Sequence, residues 1–194
     1  MKAPLTILAA ALPLAACISF GAKPPPSLLT LTATSALPVG QDQSSATAKS
    51  ITIEVPVTPA TLATARVPVQ STPTTVAYIP NAQWSEPPAR LFARLMADTV
   101  TARTGRVVLS TVQSIGDPSA QLSGELRTFG LDATARQATV TFDASLRRTG
   151  EGAIEKRRFQ ASVPVAAIDA DSAGTALNDA ANQVAVQVAD WVGR

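Results

Sequence analysis

The chain has 194 residues, 16 Lys and Arg against 14 Asp and Glu, a net charge of +2 and no histidine. Without imidazole there is no Ser-His-Asp triad, no Cys-His dyad and no ordinary transition-metal site, and the mild charge with 4 % aromatic residues argues against a nucleic-acid partner. Cys17 is the single cysteine, so it has no intramolecular disulfide partner and the body of the chain has no thiol nucleophile.

The first elements are a leader and its end. Lys2 is a positive n-region, Ala3 to Leu12 an apolar h-region, and Ala15 and Ala16 are small residues that a signal peptidase accepts. Leu14-Ala15-Ala16-Cys17 resembles a bacterial lipobox. On that reading residues 1–16 are a lipoprotein signal peptide. Cys17 then becomes the new N-terminus and carries a diacylglycerol and an N-acyl chain, the protein having no other cofactor. The alternative is an ordinary secretory leader with an accidental cysteine. A spanning helix needs about 20 apolar residues, whereas Pro4 and Pro13 interrupt this stretch and Lys23 follows it. Each acyl CH₂ in lipid contributes about 0.8 kcal/mol, so several chains hold firmly. Ile18 and Ser19, with no Asp beside the cysteine, resemble the outer-membrane sorting pattern.

Residues 17–49 follow as lipidated cysteine, tether and flexible segment. Pro24, Pro25 and Pro26 suit an extended spacer, Leu28 to Leu31 make a short apolar touch-down, and residues 34–49, rich in Thr, Ser, Ala and Gln, read as a loop.

Residues 50–194 form the domain. In Ser50 to Val57 the alternation places Ile51, Ile53, Val55 and Val57 on one face of a strand. Arg66 to Gln70 and Thr74 to Ile79 are two further short strands, and Pro68 predicts an edge position for the first of them. Ser85-Glu86-Pro87-Pro88 opens a helix, because proline is tolerated where the N–H has no intrahelical partner and Glu86 complements the dipole. Leu91, Phe92, Leu95, Met96 and Val100 form its apolar stripe, and Gly105 its stop.

Arg106 to Val112 predicts a strand, and Gln121 to Asp132 another. In the latter Leu122 and Leu126 are even-numbered while Phe129 and Leu131 are odd, which requires a bulge near Arg127-Thr128. Ala138 to Leu146 and Phe159 to Val165 alternate on either side of Gly150-Glu151-Gly152 and make a hairpin. Inward residues are even on the first strand and odd on the second, so paired numbers sum to an odd value. A sum of 301 sets Phe142 opposite Phe159 and Asp143 opposite Arg158; a sum of 303 would set Arg147 opposite Lys156, two like charges. Asp171 or Ser172 caps a last helix whose buried stripe is Leu177, Ala180, Val184, Val188 and Trp191, with Val186 off that stripe. The order is β-β-β-α-β-β-β-β-α. It describes a single α+β domain with a mostly antiparallel sheet and two helices on one face.

Ile51 to Pro56, Leu62 and Arg66, the Tyr-bearing strand Val76-Ala77-Tyr78, and Trp84-Ser85-Glu86-Pro87-Pro88 opening a helix together resemble the ABC-type transport auxiliary lipoprotein family. Leu29-Thr30-Leu31 departs from the Tyr-x-Leu that relatives usually carry. The resemblance implies a non-catalytic lipoprotein, anchored in the outer membrane and facing the periplasm. It would serve an MCE-domain protein with an ABC permease and ATPase that moves lipids or other hydrophobic molecules between two membranes, and it would dock that conduit, in a homo-oligomeric ring. A structural or assembly lipoprotein, such as a pilotin or a lipopolysaccharide-export accessory, is the rival.

Tyr78, Trp84, Pro87 and Pro88 are candidate partner contacts, against the alternative that they staple the strand–helix corner. Arg147, Arg148, Lys156, Arg157 and Arg158 cluster at one hairpin as candidates for anionic head groups, or as a solvated edge that discourages aggregation.

Overall fold

The computed structural model describes residues 25–110, 118–150 and 152–194. The strands are β1 (Ser50–Ile53), β2 (Arg66–Thr72), β3 (Thr75–Gln83), β4 (Val107–Leu109), β5 (Ala120–Asp132), β6 (Gln137–Arg148) and β7 (Ile154–Pro164). The helices are α1 (Pro88–Thr104) and α2 (Ala170–Val192), with a 3₁₀ turn at Ala60–Leu62. The order of elements is the predicted one.

All seven strands form one mixed sheet. Its long ladders, β5–β6, β6–β7 and β2–β3, are antiparallel. The pairings of β1 with β4 and β5, and of β2 with β5, are short and parallel. β1 and β2 share one edge of β5 along its length, interrupted where the chain leaves for the 3₁₀ turn.

Both helices cover one face of this sheet. Ala138, Val140, Phe142, Ala144 and Leu146 of β6 point into that layer and are buried. They meet Leu177, Ala180, Val184, Val188 and Trp191 of α2, also buried. Phe92 of α1 stands edge-on to Phe129 and Phe142, with centroids 6.4 and 5.6 Å away, and Phe159 of β7 packs on Trp191 at 5.4 Å. Burying each such side chain stabilises by about 1.5–3 kcal/mol, and aromatic pairs add about 0.5–1.5 kcal/mol.

The predicted register holds: Phe142 faces Phe159, and Asp143 faces Arg158. The phase change in β5 is a register shift between Leu126 and Thr128. Gly105 closes α1 with φ +68°, a left-handed conformation that glycine adopts without a Cβ clash, and its N–H reaches Thr101 O at 3.0 Å.

Several local expectations need correction. The strand expected over 50–57 ends at Ile53, and Val55 and Val57 are 55 % and 67 % exposed. Glu54 N donates to Leu122 O and Val57 N to Gly124 O, so three residues advance against two. The parity reverses: Pro56 turns inward and Val57 outward. Pro68 does not lie on an edge strand. β2 sits between β3 and β5, but pairs with β5 only at Val69 and Gln70, just past the proline, so its missing N–H interrupts no β5 ladder. The cap of α2 is Asp169, whose carboxylate accepts from Ser172 N at 2.8 Å, two residues before the expected position. β7 begins at Ile154, ahead of the predicted Phe159; its first five residues are exposed and so show no apolar alternation. β4 is shorter than expected, and residues 111–112 of the predicted strand lie outside the described residues.

The two helices run the same way. Arg103 in the last turn of α1 donates to Asp190 near the end of α2, at 3.0 Å from Nε and 2.7 Å from Nη2. No helix among the described residues is long and apolar enough to cross a membrane.

Candidate functional site

Leu14, Ala15, Ala16 and Cys17 lie outside the described residues. What the structure does describe is how the chain enters the domain after them. Leu29 forms a parallel bridge with Trp84: its N–H donates to Gln83 O and its carbonyl accepts from Ser85 N, both at 2.8 Å. Leu29, Leu31 and Ala33 pack against the core while Thr30, Thr32 and Thr34 stay exposed, as an extended chain requires. Leu29 fits because Gly174 of α2 has no Cβ; one built there would stand 2.8 Å from Leu29 Cδ2. Further along α2, Asn178 Oδ1 accepts from Thr32 N at 2.9 Å. Asn182 Oδ1 accepts from Thr34 N at 2.8 Å, and its Nδ2 donates to Thr32 O at 2.9 Å. Residues 29–34 are thus a strap laid along α2 from its second turn toward its middle. Sequence reasoning found the touch-down at Leu29 and missed the two asparagines.

Of the four candidate partner contacts, Trp84 offers no surface. It is 1 % exposed, with its ring edge-on to Phe129 at 5.4 Å. Pro88 is also buried, in the first turn of α1. The core takes both because the strand–helix corner folds over the sheet, which is the staple reading. Pro87 is exposed. Tyr78 is half-buried, with the Arg66 guanidinium 4.0 Å above its ring and its hydroxyl donating to Thr61 O at 3.4 Å.

The five basic residues do not act as one patch. Strand alternation sends Arg147, Lys156 and Arg158 to the uncovered face, and Arg148 and Arg157 to the helix side. Arg148 is taken up at the end of α2, where it donates to Glu155 at 3.0 Å and to Val192 O at 3.3 Å. Cations there complement the helix dipole. Arg157 leans over Phe159, 5.1 Å from the ring centroid. Arg147 donates to Gln121.

The uncovered face carries a groove of about 730 Å³. Its floor is Ser123, Glu125, Asp143 and Ser145, one wall is Val55 and Val57, and the other is Lys156 and Arg158. Arg158 grips Asp143 with two bonds, at 2.6 and 2.7 Å, and Arg127 reaches Asp143 at 3.4 Å and Glu125 at 3.7 Å. The hydrogen bond from Arg158, helped by Arg127, holds the Asp143 carboxyl below the usual carboxylate range. Asp143 is therefore a fixed anion at neutral pH, with no proton to give a substrate. Among the described residues, no three metal-ligating side chains come together. The arrangement can bind a chain or a surface. Of this groove the sequence reading located only the Asp143–Arg158 pair and the basic strand, through the register sum.

The model of the ABC-type transport auxiliary lipoprotein component matches residues 29–189, from the strap to the last turns of α2. The chain belongs to the ABC-type transport auxiliary lipoprotein family. It is therefore an auxiliary component of an ABC-type transport system, a family of non-catalytic parts. Among solved structures it is similar to a protein of Xanthomonas campestris, with 17 % identity over 86 % of this chain and 94 % of that one, at a TM-score of 0.69. An uncharacterised protein is similar at 15 % identity over 74 % and 92 %, with a TM-score of 0.65. At such identities the likeness speaks for the fold alone. No curated protein matches the chain.

Proposed function

We propose that this auxiliary component is a lipoprotein held by acyl chains on Cys17 in the outer membrane, with its domain in the periplasm. There it docks the MCE-domain conduit of a system whose ABC permease and ATPase sit in the inner membrane. The cargo is lipid or another hydrophobic molecule, and copies of the domain assemble as a ring around the conduit. The observation that supports this reading is the family match beginning at Leu29, with the lipobox-like Leu14-Ala15-Ala16-Cys17 and the prolines 24–26 lying before it in the sequence.

The part played by the domain is adhesive. The groove between Val57 and Arg158, beside the free edge of β7, supplies unpaired backbone groups and both signs of charge for an extended partner segment.

The test is a pair of proteins, wild type and Cys17→Ser, in cells that encode an MCE-domain protein. The wild type incorporates labelled fatty acid, fractionates with the outer membrane and co-purifies with the MCE-domain protein. The variant loses the label and is released. Membrane attachment of the variant unchanged would count against the anchor. Recovery of a secretin or β-barrel protein in place of the MCE-domain protein would favour the assembly-factor reading.

A further inference from the structure

The strap has a consequence for how the domain stands on its membrane. We infer that the end of the domain bearing Leu28 and Ile168 faces the bilayer that holds Cys17, and that the basic hairpin points away from it. The inference rests on the reading of Cys17 as the anchor.

The strap fixes the point of departure. Leu29 is seated at Gly174, at the start of the second turn of α2, and Thr34 is tied to Asn182, farther toward the helix C-terminus. Followed backwards, the chain leaves the domain at the N-terminal end of α2. That same end holds the last residue of β7, Pro164, paired with the first of β6, Gln137. Arg136 seals it, donating to Ala166 O at 2.6 Å. The opposite end holds the last residue of β6, Arg148, bonded to the final carbonyls of α2, and the β6–β7 hairpin beyond it.

Length then sets the orientation. From Cys17 to Leu28 is 11 residues (28 − 17), which span at most about 40 Å. The 23 residues of α2 are about 35 Å long. An inverted domain would require the tether to run back along the whole body at nearly full stretch, leaving almost none of its conformational freedom. With the strap end down, no such extension is needed.

The chemistry of that end agrees. Leu28 is 54 % exposed and Ile168 43 %, two large aliphatic side chains in water beside the exit point. Two of the acidic groups there are used within the domain, Asp169 capping α2 and Asp132 accepting from the amides of Thr134 and Ala135, and one, Asp171 in the first turn of α2, is exposed. The contact is therefore apolar and tethered, without a basic patch. Lys156, Arg157 and Arg158 lie on the half of β7 away from the exit point and face out of the anchoring leaflet.

Site-specific quenching tests this on the full lipidated protein in phosphatidylethanolamine–phosphatidylglycerol vesicles. Because Cys17 carries its sulfur as a thioether, a fluorophore attaches only to an introduced cysteine, Ile168→Cys or Gly152→Cys. A head-group spin-labelled lipid is expected to quench the probe at 168 several-fold more than the probe at 152, equally in low and high salt. Equal quenching, stronger quenching at 152, or a bias that vanishes in salt would overturn the orientation. Asn178→Ala with Asn182→Ala, in protein that keeps its circular dichroism, is expected to shrink the ratio; an unchanged ratio would overturn the role of the strap. Protein that fails to float with vesicles and labels at Cys17 would sink the anchor reading itself, a result distinct from the others.

Discussion

Asn182 holds Thr34 twice through one oxygen: its Oδ1 accepts the Thr34 amide at 2.8 Å and the Thr34 hydroxyl at 3.0 Å. Its amide nitrogen is also used, donating to Thr32 O and Asn178 O, both at 2.9 Å. The side chain is 5 % exposed, so its polar atoms are satisfied by the strap and not by water.

Asn182→Ala removes those bonds, but the freed Thr34 amide and hydroxyl and the Thr32 carbonyl can be rehydrated. The expected loss is about 1–3 kcal/mol in urea unfolding. Amide exchange at Thr34, whose N–H loses its acceptor, should accelerate more than exchange in β6. Unaltered protection of that amide in the variant would show that packing and Asn178 retain the strap.

Trp84 predicts a contrast between two substitutions. Its indole N–H is buried without an acceptor among the described residues, so the ring contributes volume and edge contacts but no hydrogen bond there. Trp84→Ala should cost about 3–5 kcal/mol, as removal of a large buried ring does, and Trp84→Phe roughly half of that or less. Thermal unfolding of both variants measures it. A phenylalanine variant as unstable as the alanine one would mean that the N–H has a partner. The proposed docking to an MCE-domain protein should survive in Trp84→Phe, since the ring is not at the surface.

These examples separate what could be read from the residues and what could not. The β6–β7 register was legible because strict alternation on both strands fixes the parity, and like charges exclude the neighbouring register. The bulge in β5 was legible for the same reason. The path of Val55 and Val57 was not, since the extra residue lies in how residues 54–57 pair with β5, a choice made by a distant strand. Asp169 was passed over because Asp171 and Ser172 are equally good caps by composition, and the turn after Val165 decides which one starts α2. Asn178 and Asn182 stand four apart on an alanine-rich helix. That spacing was a signal of one polar line beside an apolar stripe, but by itself it does not distinguish a solvated line from one that holds a strap.

Asp143 makes acid stability a readout of the groove. Its folded carboxyl pKa lies below the ordinary value of about 3.9. A depressed carboxylate contributes stability that is fully present above the unfolded pKa and disappears as pH falls through the folded one. Urea midpoints of wild type and Asp143→Asn should therefore differ by a constant amount above about pH 5 and converge below about pH 4. The difference should also shrink in 1 M salt, because Arg158 is exposed and its field is screened. A gap that persists unchanged to pH 2 would mean that the substitution acts through packing.

The free edge of β7 supplies the last prediction. Among the described residues β7 pairs only with β6, so the outer side of Ile154–Pro164 presents a row of backbone donors and acceptors. Such an edge is a template for another strand unless charge guards it. Arg158 is neutralised by Asp143, whereas Lys156 and Arg157 have no carboxylate partner among the described residues. These two cations therefore carry the repulsion between copies. Replacing both, as Lys156→Thr with Arg157→Thr, favours strand pairing by removing like charges and adding β-branched residues. Sedimentation of the unlipidated domain should show self-association at several-fold lower concentration for the variant, and salt should bring the wild type toward the same behaviour. If the variant stays as monodisperse as the wild type across that range, the edge is protected by its twist and not by its charges.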